Sequence, residues 1–255
     1  MFTVDDPNEA VSAALKSIGM DPDRDEFKSG AFMSDNTQMQ DARKALLGVI
    51  NAIASVGVVF APGTAPVRLG KQCLQALQSM LIRNGIRPEG LTIHVDEGIF
   101  RSTSEAQHLI RVYHFLTPAV LRPSERSHAC RGIQLADLTA HLFAQVVRAQ
   151  LTGEEKMVNV GGPNTGYLSG TLMPLSIDLI RLFRFRVLAR HMVYEGEKFD
   201  PATDPVVIGP DDDPVIYGQN PEVFGWGVQV TPEASENLRR AVLESLSQVW
   251  LGCMH

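Results

Sequence analysis

Apolar residues recur along the chain at helical spacing in several stretches, separated by short runs with strand character. The dominant stretch spans Arg131 to Gly153. There Ile133, Leu135, Leu138, Leu142, Phe143, Val146 and Val147 predict a helix of several turns. Its one acidic residue is Asp137, whose neighbours three and four positions away are Gln134, Ile133, Ala140 and His141. Such surroundings predict a poorly solvated carboxylate that needs a cation, a donor or a proton. The simplest partner is a backbone amide or an arginine, as for most buried polar groups.

The rest of the chain alternates helix and strand. Asp6 and Pro7 mark a helix start, with Val11, Leu15 and Ile18 on its apolar side and Gly19 at its end. A polar stretch containing Glu26, Phe27 and Lys28 leads to a helix from Met39 to about Ser55, then a strand from Val56 to Phe60. Another helix spans Leu69 to Asn84, with Cys73 as a core residue. The strand from Leu91 to Asp96 alternates strictly, with Leu91, Ile93 and Val95 on one face and Thr92, His94 and Asp96 on the other. A helix from Ser102 to Leu116 follows, and a loop containing Pro123 and Ser127 enters the dominant helix. This order predicts an α/β domain with a partly parallel sheet.

Beyond Gly153 the texture changes. The glycine-rich segment from Val160 to Thr171 lacks the lysine and spacing of a phosphate-binding loop. The next helix carries Arg181, Arg184, Arg186 and Arg190, better explained as a solvated edge than as a nucleic-acid patch. Asp211, Asp212 and Asp213 lie in a Pro- and Asp-rich excursion and lack the spacing of a calcium loop. A strand from Phe224 to Val230 and a helix after Thr231 close the sequence.

At 255 residues, 44% hydrophobic and 20% charged, the chain has the composition of an ordinary globular domain. The expected organisation is one domain, with its core over about residues 1–153 and an elaboration over about 154–255. A net charge of −6 excludes a global basic field, so phosphodiesters would be approached through metal ions. The cysteines Cys73, Cys130 and Cys253 are odd in number and widely spaced, which fits a reduced cytoplasmic protein. No CxxC or paired Cys/His spacing points to zinc. The first ten residues lack the pattern of a signal peptide, and no apolar run reaches membrane-spanning length. A cysteine hydrolase would need a thiol beside a histidine. Cys130 lies near His128 and Cys253 near His255 in sequence, but neither pair has a nucleophile context. His94 and His141, which share a face or a turn with Asp96 and Asp137, either touch the site or cap an edge of the core, the second role being the simpler.

Glu26 lies in a loop, Asp96 at the end of a strand and Asp137 within a helix. Carboxylates converging from separate elements suit hard divalent cations, which can activate water against a phosphodiester. The E-x-K element of Glu26 and Lys28, the strand ending in Asp96 and Glu97, and the Q-x-A-D-L helix of Gln134 and Asp137 together resemble the domain-of-unknown-function 3800 family over about residues 1–150. The resemblance implies a ribonuclease-H-like mixed sheet flanked by helices, with a carboxylate active site. It further implies a nuclease or related phosphodiester hydrolase dependent on Mg2+ or Mn2+. Glu26, Asp96 and Asp137 would hold metal, Glu97 would assist and Lys28 would contact phosphate. The alternative is a non-catalytic module for nucleic acid or protein on the same fold.

Members of that family usually open with a strand carrying Asp-Glu-Ser-Gly, and this sequence begins too late to contain one. Asp5 and Asp6 are the only substitutes, and they fit a later strand better. A sheet lacking its first strands leaves an open edge. That edge is expected to be covered by a second copy in a two-fold homodimer, or by the C-terminal strand and helix of the same chain.

Overall fold

The structure is a computed structural model that describes residues 1–3, 5–27, 37–62, 69–162, 166–183, 186–187, 223–224, 227–231 and 233–251. It is a mixed α/β fold. In chain order the strands are β1 (Phe2–Thr3), β2 (Ala54–Ser55), β3 (Val58–Phe60), β4 (Thr92–Asp96), β5 (Val120–Glu125), β6 (Met157–Asn159), β7 (Leu172–Pro174), β8 (Val223–Phe224) and β9 (Val228–Val230). The helices are α1 (Asn8–Ser17), α2 (Thr37–Ile53), α3 (Leu69–Arg83), α4 (Thr103–Val112), α5 (Gly132–Thr152), α6 (Leu175–Phe183) and α7 (Glu236–Leu251). Among the described residues the strands form four small sheets: β1-β2, β3-β9-β8, β4-β5 and β6-β7. In the three-stranded sheet β9 runs parallel to β3 and antiparallel to β8.

The predicted helix ends are largely the observed ones, because local chemistry sets them. Gly153 closes α5 in the left-handed conformation at φ 72°, where a glycine carries no Cβ clash. Ser102 caps α4 by accepting from the Glu105 amide at 3.1 Å, and the Glu105 carboxylate accepts from the Arg101 amide at 2.7 Å. At α1 the cap shifts by one residue: Pro7 occupies the cap position, and Asp6 accepts from the Asn8 amide at 2.9 Å.

The helix predicted to reach Ser55 stops at Ile53, and Ala54–Ser55 extend to pair with Phe2–Thr3. Two further elements depart from expectation. The predicted loop before α5 contains strand β5, parallel to β4 and joined to it by α4. The second is the antiparallel pair β6-β7, which flanks the glycine-rich segment expected as a loop. Of the arginines on the next helix, Arg186 donates to Asn51 at 3.1 Å, while Arg184, Arg190 and the triple aspartate lie outside the described residues.

Two apolar clusters hold these elements. The larger joins α1, α2, α5, α6, β9 and α7 through residues such as Leu15, Leu46, Leu138, Phe183, Val228 and Val242. Within it the rings of Phe143 and Phe183 sit 5.6 Å apart and tilted, the favoured arrangement for an aromatic pair. The C-terminal strand and helix are thus part of the core that buries α5. The smaller cluster lies under β4-β5, where Leu74 and Leu81 of α3 meet Phe100, Ala106 of α4 and Leu116. No helix among the described residues is long and apolar enough to cross a membrane.

Candidate functional site where β4, β5 and α5 meet

The site is built on the parallel pair β4-β5, which starts in simple register: Thr92 faces Val120, Ile93 faces Leu121 and His94 faces Arg122. The register then slips, and Asp96 faces Glu125. One extra residue has entered β5, and Ser124 takes the strain with φ 59°, a left-handed conformation that is rare outside glycine. Side chains alternate along a strand, so one inserted residue moves everything after it to the opposite face. Glu125 is thereby brought to the side that His94 and Asp96 share. Its Oε2 lies 2.8 Å from His94 Nδ1.

The next two residues of the chain pair with two of the acids singled out in the sequence. Arg126 pairs with Glu97 at 3.1 Å, an exposed contact worth only about 0–1 kcal/mol. The Ser127 hydroxyl donates to Glu26. Glu97 and Glu26 therefore bond to the consecutive residues Arg126 and Ser127, while Asp96 lies opposite Glu125 in the ladder and accepts from the Glu97 amide at 2.9 Å. Lys28, the other half of the E-x-K element, lies outside the described residues.

Gln134 locks this arrangement. It is buried on the first turn of α5, and its amide faces two segments at once. Its Oε1 accepts from the Phe27 backbone amide at 3.2 Å, and its Nε2 donates to the Ser127 carbonyl at 3.0 Å. Neighbouring contacts fasten the same corner. The Arg131 amide donates to the Asn8 side chain at 2.7 Å, and the Arg131 guanidinium reaches the Pro22 carbonyl at 2.9 Å and Asp23 at 2.8 Å. A Cβ on Gly132 would sit 2.8 Å from Cγ of Pro7, so the helix start needs the missing side chain.

Asp137 departs from expectation. It is exposed on α5, one turn beyond Gln134, rather than poorly solvated in an apolar setting. Its apolar neighbour Ile133 turns into the core, while the adjacent Ala136 and Ala140 are too small to cover it. The shielded group of that turn is His141. Burial, Lys156 and Arg43 push its imidazole below the ordinary value of 6.5, against the opposing pull of Asp137. A histidine held neutral in the folded state contributes stability above its unfolded pKa, and that contribution is lost as pH falls through the folded pKa. Below pH 6.5 the protein should therefore lose stability faster than His141→Gln, a difference that urea titrations across the acid range measure.

The sequence pairs Cys130 with His128, but the fold brings it to another histidine. The ligand atoms of His94, Glu125 and Cys130 all lie within 4.8 Å of one another. His94 is on β4, Glu125 ends β5, and the half-buried Cys130 sits in the turn entering α5. Burial and the Glu125 carboxylate, as both neighbouring charge and hydrogen-bond acceptor, push the Cys130 thiol up to about 11. A thiol so placed is protonated at neutral pH, which argues against Cys130 as a hydrolase nucleophile; Cys253 and His255 lie outside the described residues. The group was hidden in the sequence because 36 residues separate His94 from Cys130 and the strand that joins them was not expected. The one signal present was the polar face of the strand holding both His94 and Asp96.

Compared with known protein families, with curated proteins and with solved structures, the chain matches none.

Proposed function

We propose that the chain is a divalent-metal-dependent phosphodiester hydrolase, a nuclease, built on a ribonuclease-H-like arrangement. One observation carries this reading: Glu26 and the adjacent pair Asp96 and Glu97, from two distant places in the sequence, lie against consecutive residues at the end of β5, Glu26 bonded to Ser127, Glu97 to Arg126 and Asp96 opposite Glu125 in the ladder. A parallel strand pair with its acids at the carboxyl ends is where α/β sheets present their sites.

Glu26, Asp96 and Asp137 are the residues that would hold Mg2+ or Mn2+, whose hard character suits carboxylate oxygen. The metal supplies charge stabilisation at the phosphate and an activated water. The chain's own part is to fix the carboxylates. Ser127, itself held by Gln134, holds Glu26, and Glu97, whose pairing with Arg126 is weak and exposed, would assist. Lys28 would meet the phosphate. The place of action is the cytoplasm, in keeping with the free thiols of Cys73 and Cys130.

The test is hydrolysis of end-labelled single-stranded and duplex RNA and DNA with Mg2+ or Mn2+. Asp96→Asn should lower the rate at least about 100-fold, the upper end of the loss caused by removing an outer-shell partner. Cleavage that survives both a chelator and this substitution would overturn the assignment. The alternative, a non-catalytic nucleic-acid or protein module, is favoured by the partners that Glu26 and Glu97 already have in the fold. It predicts salt-dependent binding without cleavage.

A further inference from the structure

We propose that His94, Glu125 and Cys130 form a zinc-binding site with three protein ligands and one position open to solvent. The inference stands whether or not the chain cleaves phosphodiesters, because it rests on three other donor groups. Their ligand atoms converge within 4.8 Å from three different elements. In a tetrahedral zinc site, with metal–ligand bonds of about 2.0–2.3 Å, the donors lie about 3.3–3.8 Å apart. The separations here, all within 4.8 Å, exceed the upper end of that spacing by at most about 1 Å. The bulge at Ser124 makes the convergence, since it places Glu125 on the face of His94.

The donor set selects the ion. One imidazole nitrogen, one carboxylate oxygen and one sulfur suit zinc, which accepts all three, and not magnesium or calcium, which take oxygen. Access is open as well, since the side chains of His94 and Glu125 are 42% and 28% exposed. Three protein ligands leave room for a water on the metal, the arrangement typical of catalytic rather than structural zinc.

The experiment uses the full chain, stripped of metal under reducing conditions and titrated with Co2+, then with Zn2+. Cobalt should bind one per chain and give the intense thiolate-to-cobalt charge-transfer absorption, which zinc then abolishes by displacement. Cys130→Ser should lose that absorption, and His94→Gln and Glu125→Gln should weaken cobalt binding at least about 10-fold. Cys73→Ser should keep it. A second measurement needs no variant: Zn2+, but not Mg2+, should slow alkylation of Cys130 at least about 10-fold, read by peptide mass. This second result decides the matter if Cys130→Ser does not fold. An absent charge-transfer band, a band that persists in Cys130→Ser, or alkylation of Cys130 indifferent to zinc would each overturn the site. A loss of magnesium-dependent cleavage with zinc binding intact would instead strike only the hydrolase reading.

Discussion

Gln134→Leu should destabilise the protein by about 2–4 kcal/mol, because it leaves two backbone groups without partners. Leucine approximates glutamine in volume, so packing around position 134 changes little. What disappears is the acceptor for the Phe27 amide and the donor to the Ser127 carbonyl. Phe27 is itself buried, so water cannot readily replace the first bond. The second group is less enclosed and accounts for the smaller part. Urea unfolding gives the value directly. The same substitution should release Ser127 and with it Glu26, so metal-dependent cleavage should fall in whatever fraction of the variant remains folded. Full stability in Gln134→Leu would mean that the two segments are held by other contacts and that Gln134 only fills space.

The second large effect belongs to Ser124. Inserting one alanine between Ser124 and Glu125 should carry Glu125 one place further along β5 and turn it to the opposite face, away from His94. Cobalt binding and cleavage should both be lost, while the helices and the far-ultraviolet circular dichroism stay near those of the parent. Point substitutions grade the same effect. Ser124→Val puts a β-branched side chain at φ 59° and should lose about 1–2 kcal/mol. Ser124→Gly removes the conformational strain and should be neutral, or stabilising by up to about 1 kcal/mol. If the insertion variant binds cobalt as the parent does, the face of β5 on which Glu125 lies does not decide binding.

These two residues show what could be learned from the sequence. The dominant helix was legible because a long apolar stripe ending in glycine has few other solutions, and α5 ends at Thr152 with Gly153 as its cap. The β4 faces were legible for the same reason, since its strict alternation survives in the fold. Strand β5 was not. Pro123 argues against a strand in the middle of a sheet, and Val120–Glu125 is half polar. Among the described residues β5 pairs with β4 alone, and a strand at a sheet edge tolerates both features. The bulge was beyond reach because Ser124 carries no local mark of a left-handed conformation. Asp137 went the other way: apolar neighbours in sequence did not mean apolar surroundings, because on a helix the adjacent alanines cover little. Gln134 was noticed only as part of a motif, whereas its role comes from Phe27 and Ser127, 107 and 7 residues away.

The division of the interior into two clusters has a consequence for how the molecule opens. His94, Asp96 and Glu97 ride on the smaller cluster beneath β4-β5, while the body of α5, the helix that carries Gln134, packs in the larger one. The two should behave as separate cooperative units, and the smaller, with fewer buried residues, should exchange its amide hydrogens first. Each of its openings would carry His94 away from Cys130 while α5 stays folded. Hydrogen exchange at β4 and β5 should therefore slow markedly with a bound metal, as one protected block, while the slow amides of α5 change little.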